Sequence, residues 1–376
     1  MKSHVKILNY FACICLLFGS MASCVTDYKT VSFVRPDGSV YREIYAKGDS
    51  AFLAGDRSKS PYLFQLDSAW QISRLNVNSD SKFFKEYNVK IGKTFKNAEE
   101  INAGLRFDEI YRPLVAPVET IHKRFRWFYT YYSYKAVYKD ITDKISVPLD
   151  DFLNVSEQKL WFKGDFSAYA DMNGIELKNE MDIIERRFWE WYARNVYEVM
   201  IEAIIDYEKS ISGQYVSKIQ ALKDTVFLSV LAKHEFLEND PFETVDLYKA
   251  LDKQLNTGYF SGLYRDNQIA IDSLVEAKGA CINDLTDKLF QVDVEYQLLM
   301  PGKLICSNAP VQYQDTLSWK VNALRFVSGD YVLTAESRTV HVWAFILTFM
   351  LLALSAGCWI ATKKRCCFFG FTKKKQ

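Results

Sequence analysis

The sequence has few histidines and lacks the motifs that bind nucleotides. Four of its 376 residues are histidine, and none of His122, His234 and His341 has a second histidine at ligand spacing. Because zinc and di-iron sites depend on histidine, we predict no metal site. The chain also has no P-loop and no dinucleotide-binding fingerprint. From the sequence we therefore assign no catalytic residue and no cofactor.

The sequence also lacks a net charge, internal repeats and long flexible linkers. Its 47 basic residues nearly balance its 46 acidic residues, which argues against nucleic acid as a partner. No low-complexity tract or long segment rich in Pro, Gly and Ser interrupts the chain, which favours one compact domain. Aromatic residues make up 15% of the chain, a high share that is typical of a β-rich, densely packed domain or an interaction surface.

One long hydrophobic run stands near the C-terminus. Residues 340–362 contain no Asp, Glu, Lys or Arg, and Trp343 and Trp359 lie near the two ends of the run. At ~1.5 Å per residue, a helix of this length can cross a ~30 Å hydrocarbon core. The basic residues of the tail, 363–376, predict that the C-terminus is cytoplasmic and that the preceding domain lies outside. The sequence thus predicts a single-pass protein of the cytoplasmic (inner) membrane, with the lipid bilayer as one partner.

Residues 1–23 have the layout of a secretory signal peptide. Lys2 and Lys6 precede an apolar stretch, and small residues follow it. The tetrapeptide Met21-Ala22-Ser23-Cys24 resembles the bacterial lipobox, which implies cleavage before Cys24 and attachment of diacylglycerol to its thiol. The alternative is an ordinary signal peptide that leaves Cys24 free or paired. We expect the lipid to return the N-terminal end to the leaflet in which the helix begins, while the helix itself fixes residence in the membrane.

Two cysteines remain in the predicted outer domain. The other six of the eight cysteines fall in the signal peptide, at Cys24, or in the helix and the tail. Because the outer compartment is oxidising, Cys281 and Cys306 form a possible disulfide. Two unpaired buried thiols are the alternative.

Hydrophobic periodicity divides the outer domain into three parts. Residues 25–147 are rich in β-prone runs, including a predicted hairpin around Pro36-Asp37-Gly38-Ser39. Apolar residues three or four apart predict helices in 148–288, and alternation returns in 289–339. We therefore predict an α+β fold in which the N- and C-terminal strands form one sheet or barrel-like layer with a helical insertion, followed by a transmembrane helix. The alternative is a β domain followed by an α domain, with the C-terminal strands as a separate stalk.

A row of aromatic residues occupies the end of the first β-rich part. Residues 125–141 are predicted to form a long strand, residues 62–75 another strand region, and residues 76–105 a polar loop with short elements. The aromatic side chains of the long strand could face a ligand, or they could pack in the core or on the face of the sheet. We predict a possible binding surface along this row, formed by Trp127, Tyr129, Tyr131 and Tyr134.

The end of the outer domain carries motifs similar to those of LppM-like bacterial lipoproteins. Met300-Pro301-Gly302, Ser307-Asn308-Ala309 and Thr316-Leu317-Ser318-Trp319 are followed by strands and one C-terminal helix. The resemblance covers residues 289–362, whereas the helical segment departs from that small architecture. It implies a lipidated N-terminus, a β-rich soluble part and one terminal helix, and it brings no catalytic residue. More loosely, the whole chain resembles uncharacterised bacterial envelope lipoproteins.

These observations lead to three functional hypotheses. The first is a non-enzymatic envelope lipoprotein that acts as a scaffold, assembly or binding module at the outer face of the membrane, with envelope proteins or lipids as partners. The second is a membrane-bound hydrolase of envelope lipid or glycan, using carboxylates brought together in three dimensions. The third is a eukaryotic type I membrane protein of the secretory pathway, suggested by the sequon Asn154-Val155-Ser156 and by Lys373-Lys374 near the C-terminus.

Overall fold

The computed structural model describes residues 26–75, 87–101, 103, 105–232 and 243–370, with backbone only for residues 361–370. The strands are β1 Thr26–Val34, β2 Val40–Ala46, β3 Gln71–Arg74, β4 Val89–Phe95, β5 Val118–Phe125, β6 Tyr129–Tyr138, β7 Val292–Leu299, β8 Lys303–Ser307, β9 Val311–Tyr313, β10 Thr316–Asn322 and β11 Tyr331–Val340. The α-helices are α1 Ser50–Ala54, α2 Arg112–Val115, α3 Val155–Gln158, α4 Gly174–Ile211, α5 Val216–Leu231, α6 Thr244–Leu255, α7 Tyr259–Asp284 and α8 Val342–Gly370. The predicted signal peptide and Cys24 lie outside the described residues.

Seven strands form a large mixed sheet in the order β3-β4-β2-β1-β7-β10-β9. β1 pairs with β2 antiparallel and with β7 in parallel, the latter from Thr26 opposite Val292 to Phe33 opposite Leu299. β1 and β2 are joined at the predicted turn, where Gly38 has a φ of 97°, a conformation that favours glycine. The N- and C-terminal strands therefore share one sheet, as predicted.

Four further strands form a second, antiparallel sheet in the order β5-β6-β11-β8. β6 and β11 pair along ten residues each, from Tyr129 opposite Val340 to Tyr138 opposite Tyr331. Such a ladder is ~30 Å long. A single residue, His341, separates β11 from α8, so the small sheet leads directly into the C-terminal helix.

The two sheets pack face to face around one apolar core. This core contains Ile91 and Leu298 of the large sheet together with Ala136 and Leu333 of the small sheet, all of them fully buried. Asn308 adds a polar link, since its Oδ1 accepts hydrogen bonds from Trp319 Nε1 in β10 and from the backbone N of Thr334 in β11. The predicted barrel-like layer is thus a sandwich of two sheets.

The sandwich has two distinct ends. Where α8 begins, Ser337 Oγ donates to Pro301 O at 2.8 Å and joins the sheets; we call this the helix end. At the opposite end, the backbone N of Ile141 donates to Phe326 O at 3.2 Å; we call this the far end. Because β7 stops just before Pro301, the C-terminal ends of β7 and of its parallel neighbour β1 both lie at the helix end.

β1 consequently begins at the far end. Its nine residues, Thr26–Val34, extend ~26 Å along the sandwich. The expectation that a lipid on Cys24 returns to the leaflet where the helix begins stays a prediction, because Cys24 lies outside the described residues. The first described strand, β1, holds Thr26 at the far end through its pairing with Val292.

The helical segment packs at the far end and adds a second core. α4 is 38 residues long and begins with a capping box, in which Asn173 accepts from the amides of Ile175 and Glu176. The first half of α4 contributes Ile184 and Trp191 to the sandwich core, whereas its second half packs with α5, α6 and α7 around a separate core. The predicted α+β fold with a helical insertion and a C-terminal apolar helix is confirmed.

Some local predictions in the first β-rich part were wrong. Residues 76–105 were predicted to be a polar loop with short elements, yet they contain the seven-residue strand β4, which lies between β3 and β2 in the large sheet. Residues 62–75 were predicted as a strand region, yet they contribute only β3. There Tyr62, Phe64 and Trp70 are buried against the core from largely irregular chain, so their β propensity was overridden by tertiary packing.

Candidate functional site

The β5–β6 hairpin ends in a two-residue loop, Trp127-Phe128, at the helix end of the sandwich. Arg126 and Tyr129 close this loop with two reciprocal backbone hydrogen bonds, with N–O distances of 2.7 and 3.1 Å. The pairing of β6 with β11 stops at Tyr129 and Val340. The loop therefore extends past the sheet and lies beside the first turns of α8.

Hydrogen bonds fasten the loop to the helix. The backbone N of His341 donates to Phe128 O at 2.9 Å, and the Trp127 indole N–H donates to Thr348 Oγ1 at 2.8 Å. Thr130 Oγ1 and His341 Nε2 are also hydrogen bonded, at 2.8 Å. Because Thr348 lies six residues after the first residue of α8, the contact reaches ~9 Å along the helix axis.

Aromatic rings surround these hydrogen bonds. The Trp127 and Trp343 centroids lie 5.3 Å apart in an edge-to-face arrangement, and those of Phe128 and Phe345 lie 4.5 Å apart. Such pairs contribute about 0.5–1.5 kcal/mol each beyond the area that they bury, so together they fix the hairpin against the helix. We call the group the aromatic junction; its members are Phe125, Trp127, Phe128, Tyr129, His341, Trp343 and Phe345.

Beyond the junction, α8 continues as an isolated apolar helix. Residues Val342–Ile360 are long and apolar enough to cross a membrane, and only 6% of that window is buried inside the domain. A core helix of a soluble protein would be mostly buried. The length, composition and exposure of α8 therefore agree with the predicted membrane association.

The structure divides the predicted aromatic binding surface between different sites. Trp127 and Tyr129 belong to the aromatic junction, and Tyr131 is half-buried on the same side of β6 as Tyr129. Tyr134 is only 1% exposed and points to the opposite face, because side chains alternate along a strand. Tyr134 is therefore not part of a surface with the other three residues.

Tyr134 instead belongs to a buried polar cluster between the two sheets. Arg42 Nη1 and Nη2 donate to the two carboxylate oxygens of Glu119 at 2.9 and 2.7 Å, and Tyr134 Oη donates to the same carboxylate at 2.8 Å. Arg42 also donates to Ser32 Oγ at 2.9 Å and to Tyr296 Oη at 3.1 Å. The cluster thus connects β1, β2 and β7 of the large sheet with β5 and β6 of the small sheet.

Burial determines the electrostatics of this cluster. Burial alone would lower the pKa of Arg42, but the Glu119 carboxylate together with Tyr296 and Tyr134 outweighs burial and holds that pKa well above its ordinary value. Burial raises the pKa of Tyr134 well above its ordinary value, and Glu119 raises it further. Arg42 therefore stays charged and the hydroxyl of Tyr134 stays a hydrogen-bond donor. We interpret the cluster as a structural link between the sheets.

A small cavity adjoins the buried polar cluster. Its volume is about 70 Å³, and its lining includes Tyr28, Tyr62 and Leu114 as well as Arg42 and Glu119. Ligand pockets for drug-sized molecules are typically ~300–1,000 Å³, so this cavity is small for a substrate. Its one carboxylate, Glu119, is already bound to Arg42.

A larger groove of about 450 Å³ lies between the sandwich and the helical segment. It is lined by residues of the segment 142–150 together with Gln158, Trp191, Val327 and Ser328. Its one carboxylate, Asp150, accepts a hydrogen bond from Gln158 Nε2 at 2.7 Å. Neither cavity therefore presents the pair of carboxylates that the hydrolase hypothesis requires, and the described residues contain no metal-binding group of three or more His, Cys, Asp or Glu side chains.

Both cysteines of the predicted disulfide are free, exposed thiols in the structure. Cys281 lies on α7, with its Sγ 3.7 Å from Lys144 O. Cys306 lies on β8 opposite Glu336 of β11. The predicted disulfide is thus not formed, because Cys281 lies next to Lys144 and Cys306 lies next to Glu336, and the two thiols are not in contact. The predicted lipidation site, Cys24, lies outside the described residues.

Comparisons with known proteins give little information about this chain. No protein-family model matches the sequence, and no curated protein matches it. A solved structure that matches is the NMR structure of the folded domain of LppM from Mycobacterium tuberculosis, with 8% sequence identity, a TM-score of 0.25, and coverage of 85% of this chain and 93% of that chain. The predicted LppM-like resemblance is therefore found only as a weak likeness at the level of the fold. A TM-score this low carries no argument about function, which has to be inferred from the chain itself.

Proposed function

We propose that this chain is a non-enzymatic scaffold or assembly module, anchored by α8 in the cytoplasmic membrane, with its α+β domain at the outer face. In this proposal, Cys24 carries a lipid and the partners are envelope proteins or lipids. The aromatic junction is the observation on which the proposal rests. A domain tethered by a flexible linker could take any orientation, whereas this hairpin is fastened to the first two turns of the helix.

The fastened domain would hold the helical segment at a defined height above the membrane. The far end, where α4 to α7 are located, is separated from α8 by the length of the β6–β11 ladder, ~30 Å. Large apolar side chains are exposed on these helices: Ile175 is 76%, Leu228 61% and Ile269 85% exposed. A scaffold that presents a protein-binding surface to the envelope would need such side chains far from the bilayer.

Site-specific photocrosslinking in intact cells tests the scaffold role. A photoreactive amino acid replaces Ile269 at the far end or Phe125 at the helix end, with the full chain expressed at its native level. We expect Ile269 to give one or a few discrete protein adducts and Phe125 to give lipid adducts. The proposal is overturned if Ile269 gives no adduct while the purified full chain hydrolyses envelope lipid or glycan.

The mass of the mature protein, extracted from membranes, tests the anchoring. We expect a chain that begins at an acylated Cys24, with the tail protected from protease added to intact spheroplasts. An unmodified N-terminus together with a glycan on Asn154 would instead support the eukaryotic type I hypothesis. Asn154 is exposed at the start of α3, so a glycan there would be sterically accessible.

A further inference from the structure

The tip of the β5–β6 hairpin alternates cationic and aromatic residues. His122, Lys123, Arg124, Phe125, Arg126 and Trp127 follow one another and are all exposed. Phe125 is 59% and Trp127 45% exposed, although large aromatic side chains usually lose most of their exposure in a folded domain. The tip therefore presents both positive charge and aromatic surface at the helix end.

Two of these cations have no partner within the described residues. Lys123 Nζ donates to Pro36 O at 2.7 Å, and Arg338, nearby on β11, lies 4.6 Å above the ring of Tyr129. The guanidinium groups of Arg124 and Arg126 make no hydrogen bond or ion pair with the part of the chain that the structure describes. Their guanidinium groups are thus available for an anion.

Acidic groups near the tip leave this charge uncompensated. Glu119, the acidic residue of β5, is buried and bound to Arg42. Asp37, in the adjacent β1–β2 turn, accepts from Ser39. Glu336 lies on β11 opposite Ser133 of β6. Ser133 is four residues after Tyr129, so Glu336 lies further from the loop. Among the described residues, none of these three carboxylates pairs with Arg124 or Arg126, so the tip can bind an external anion.

The point at which Trp127 contacts α8 indicates where that anion comes from. The 19 residues Val342–Ile360 are ~28 Å long as a helix, barely the thickness of a ~30 Å hydrocarbon core. The first turns of α8 are therefore needed to span the core and cannot remain in water. Trp127 is hydrogen bonded to Thr348, ~9 Å along the helix from its first residue. Its indole therefore lies in the outer part of the bilayer, close to the boundary between headgroups and acyl chains where indole rings are enriched.

We propose that the hairpin tip binds anionic phospholipid headgroups of the leaflet in which α8 begins, with Arg124 and Arg126 contacting the phosphates and Phe125 and Trp127 entering the interface. Guanidinium groups donate paired hydrogen bonds to phosphate oxygens, and basic residues beside a membrane are attracted to anionic lipid. This inference rests on the proposed function, since it requires α8 to span a bilayer. Besides binding lipid, the tip would also set the tilt of the domain on the membrane.

Quenching of tryptophan fluorescence by brominated lipids tests this inference. The full chain, with Trp343→Phe and Trp359→Phe, is reconstituted into phosphatidylcholine vesicles that contain phosphatidylglycerol, and either one lipid or the other is brominated at equal mole fraction. The Trp359→Phe background removes the indole beside the basic tail, which attracts anionic lipid at the opposite face. We expect brominated phosphatidylglycerol to quench more strongly than brominated phosphatidylcholine, and we expect Trp127→Phe to remove most of that excess.

A pair of matched double variants then assigns the excess to the two arginines. Arg124→Gln with Arg126→Gln should reduce the excess at least twofold. Lys178→Gln with Arg186→Gln, which removes the same charge from exposed positions of α4, should leave it unchanged. Equal quenching by the two lipids in the parent, or the same excess in both double variants, would overturn the lipid inference alone. Absence of quenching by either lipid would mean that α8 is outside the bilayer and would overturn the proposed function.

Discussion

At the residue scale, breaking the buried ion pair by removing one partner should give the largest loss of stability that the structure allows us to predict. The side chains of Arg42 and Glu119 are 8% and 0% exposed. Glu119→Gln should lower the free energy of unfolding by about 3–5 kcal/mol, because it leaves the Arg42 charge buried without its counter-ion. Urea unfolding of the full chain in mild detergent, followed by near-UV circular dichroism, measures this change.

The matched control for that experiment removes both charges. Arg42→Met combined with Glu119→Leu should cost much less than the sum of the two single changes, since no charge is then left buried alone. A Glu119→Gln variant within about 1 kcal/mol of the parent would mean that the pair is solvated in solution and does not link the sheets.

A second carboxylate provides a prediction about pH. Glu43 on β2 accepts hydrogen bonds from Lys90 Nζ and Tyr45 Oη, both at 2.6 Å, and from Tyr41 Oη at 3.1 Å. Burial alone would raise its pKa, but these three donors outweigh burial and hold the pKa of Glu43 below its ordinary value of 4.5. The folded state thus binds the Glu43 proton less readily than the unfolded state, so this group stabilises the domain above pH 4.5 and loses that effect as the pH falls through its lowered pKa.

The difference between the parent and Glu43→Gln isolates this effect from other carboxylates. We expect the melting temperature of the parent to exceed that of the variant at pH 7 and the gap to narrow steadily below pH 4.5. Melting curves in detergent between pH 3 and pH 8 measure it. A gap that is constant over this range would show that ionised Glu43 makes no differential contribution.

At the element scale, the turn between β7 and β8 joins the two sheets and leaves no room for a side chain. Gly302 has a φ of +76°, and a Cβ there would overlap Arg338 O and lie 2.8 Å from Thr339 Cγ2. Gly302→Ala should therefore destabilise the domain by about 3 kcal/mol or more, from backbone strain plus the clash. The matched control is Gly38→Ala, where φ is +97° but no atom lies within 4 Å of the added Cβ.

The control should cost only about 1 kcal/mol, the strain of a left-handed backbone. Urea unfolding of both variants under identical conditions compares the two positions. If Gly302→Ala and Gly38→Ala were equally destabilising, the close approach of the β7–β8 turn to β11 would not exist in solution.

The elements also differ in how well the sequence predicted them. The helices were recognisable because Leu177, Met181, Ile184, Phe188 and Trp191 repeat every three or four residues. In β4, Val89, Ile91 and Phe95 are buried on one face, and that alternation could have been recognised within the polar segment 76–105. The aromatic junction could be predicted only in part, because Trp127 and Thr348 are 221 residues apart in the sequence and no local pattern encodes their contact.

The buried polar cluster illustrates the same limit more sharply. Glu119 lies in a short strand that is otherwise mostly polar, with His122, Lys123 and Arg124 after it. A charge in such a strand is expected to be solvent-exposed until its partner is known. Arg42 lies 77 residues away, in another sheet. Pairing across two sheets depends on how the sheets pack, which periodicity within one strand does not specify.

At the scale of the whole molecule, the two proposed anchors are attached to opposite ends of the sandwich. Removing one anchor should therefore leave the other functional. Cys24→Ser should leave the full chain resistant to carbonate extraction, because a spanning helix is held far more firmly than a lipid chain. A chain ending at residue 340 should stay in the membrane fraction only while Cys24 is intact, and the doubly altered chain should be released.

Fractionation of cells that express the four chains measures this outcome. Retention of the doubly altered chain in the membrane fraction would contradict the proposal that the two anchors account for membrane attachment and would point to the hairpin tip or a partner protein as a further attachment. Release of the chain that lacks α8 but keeps Cys24 would contradict lipidation directly.

The parallel pairing of β1 with β7 has a consequence for the order of folding. Thr26 pairs with Val292, 266 residues later in the chain. The central strand β1 can therefore pair with β2 early in synthesis, but it cannot pair with β7 until the chain has been made as far as β7. Such long-range pairs form slowly, and an unpaired strand edge readily associates with other chains. β11 and α8 follow within about fifty residues of β7. The large sheet can therefore close only after β7 has been made, and β11 and α8 are made soon after β7, so closure of the sheet and the appearance of α8 are close together in the order of synthesis.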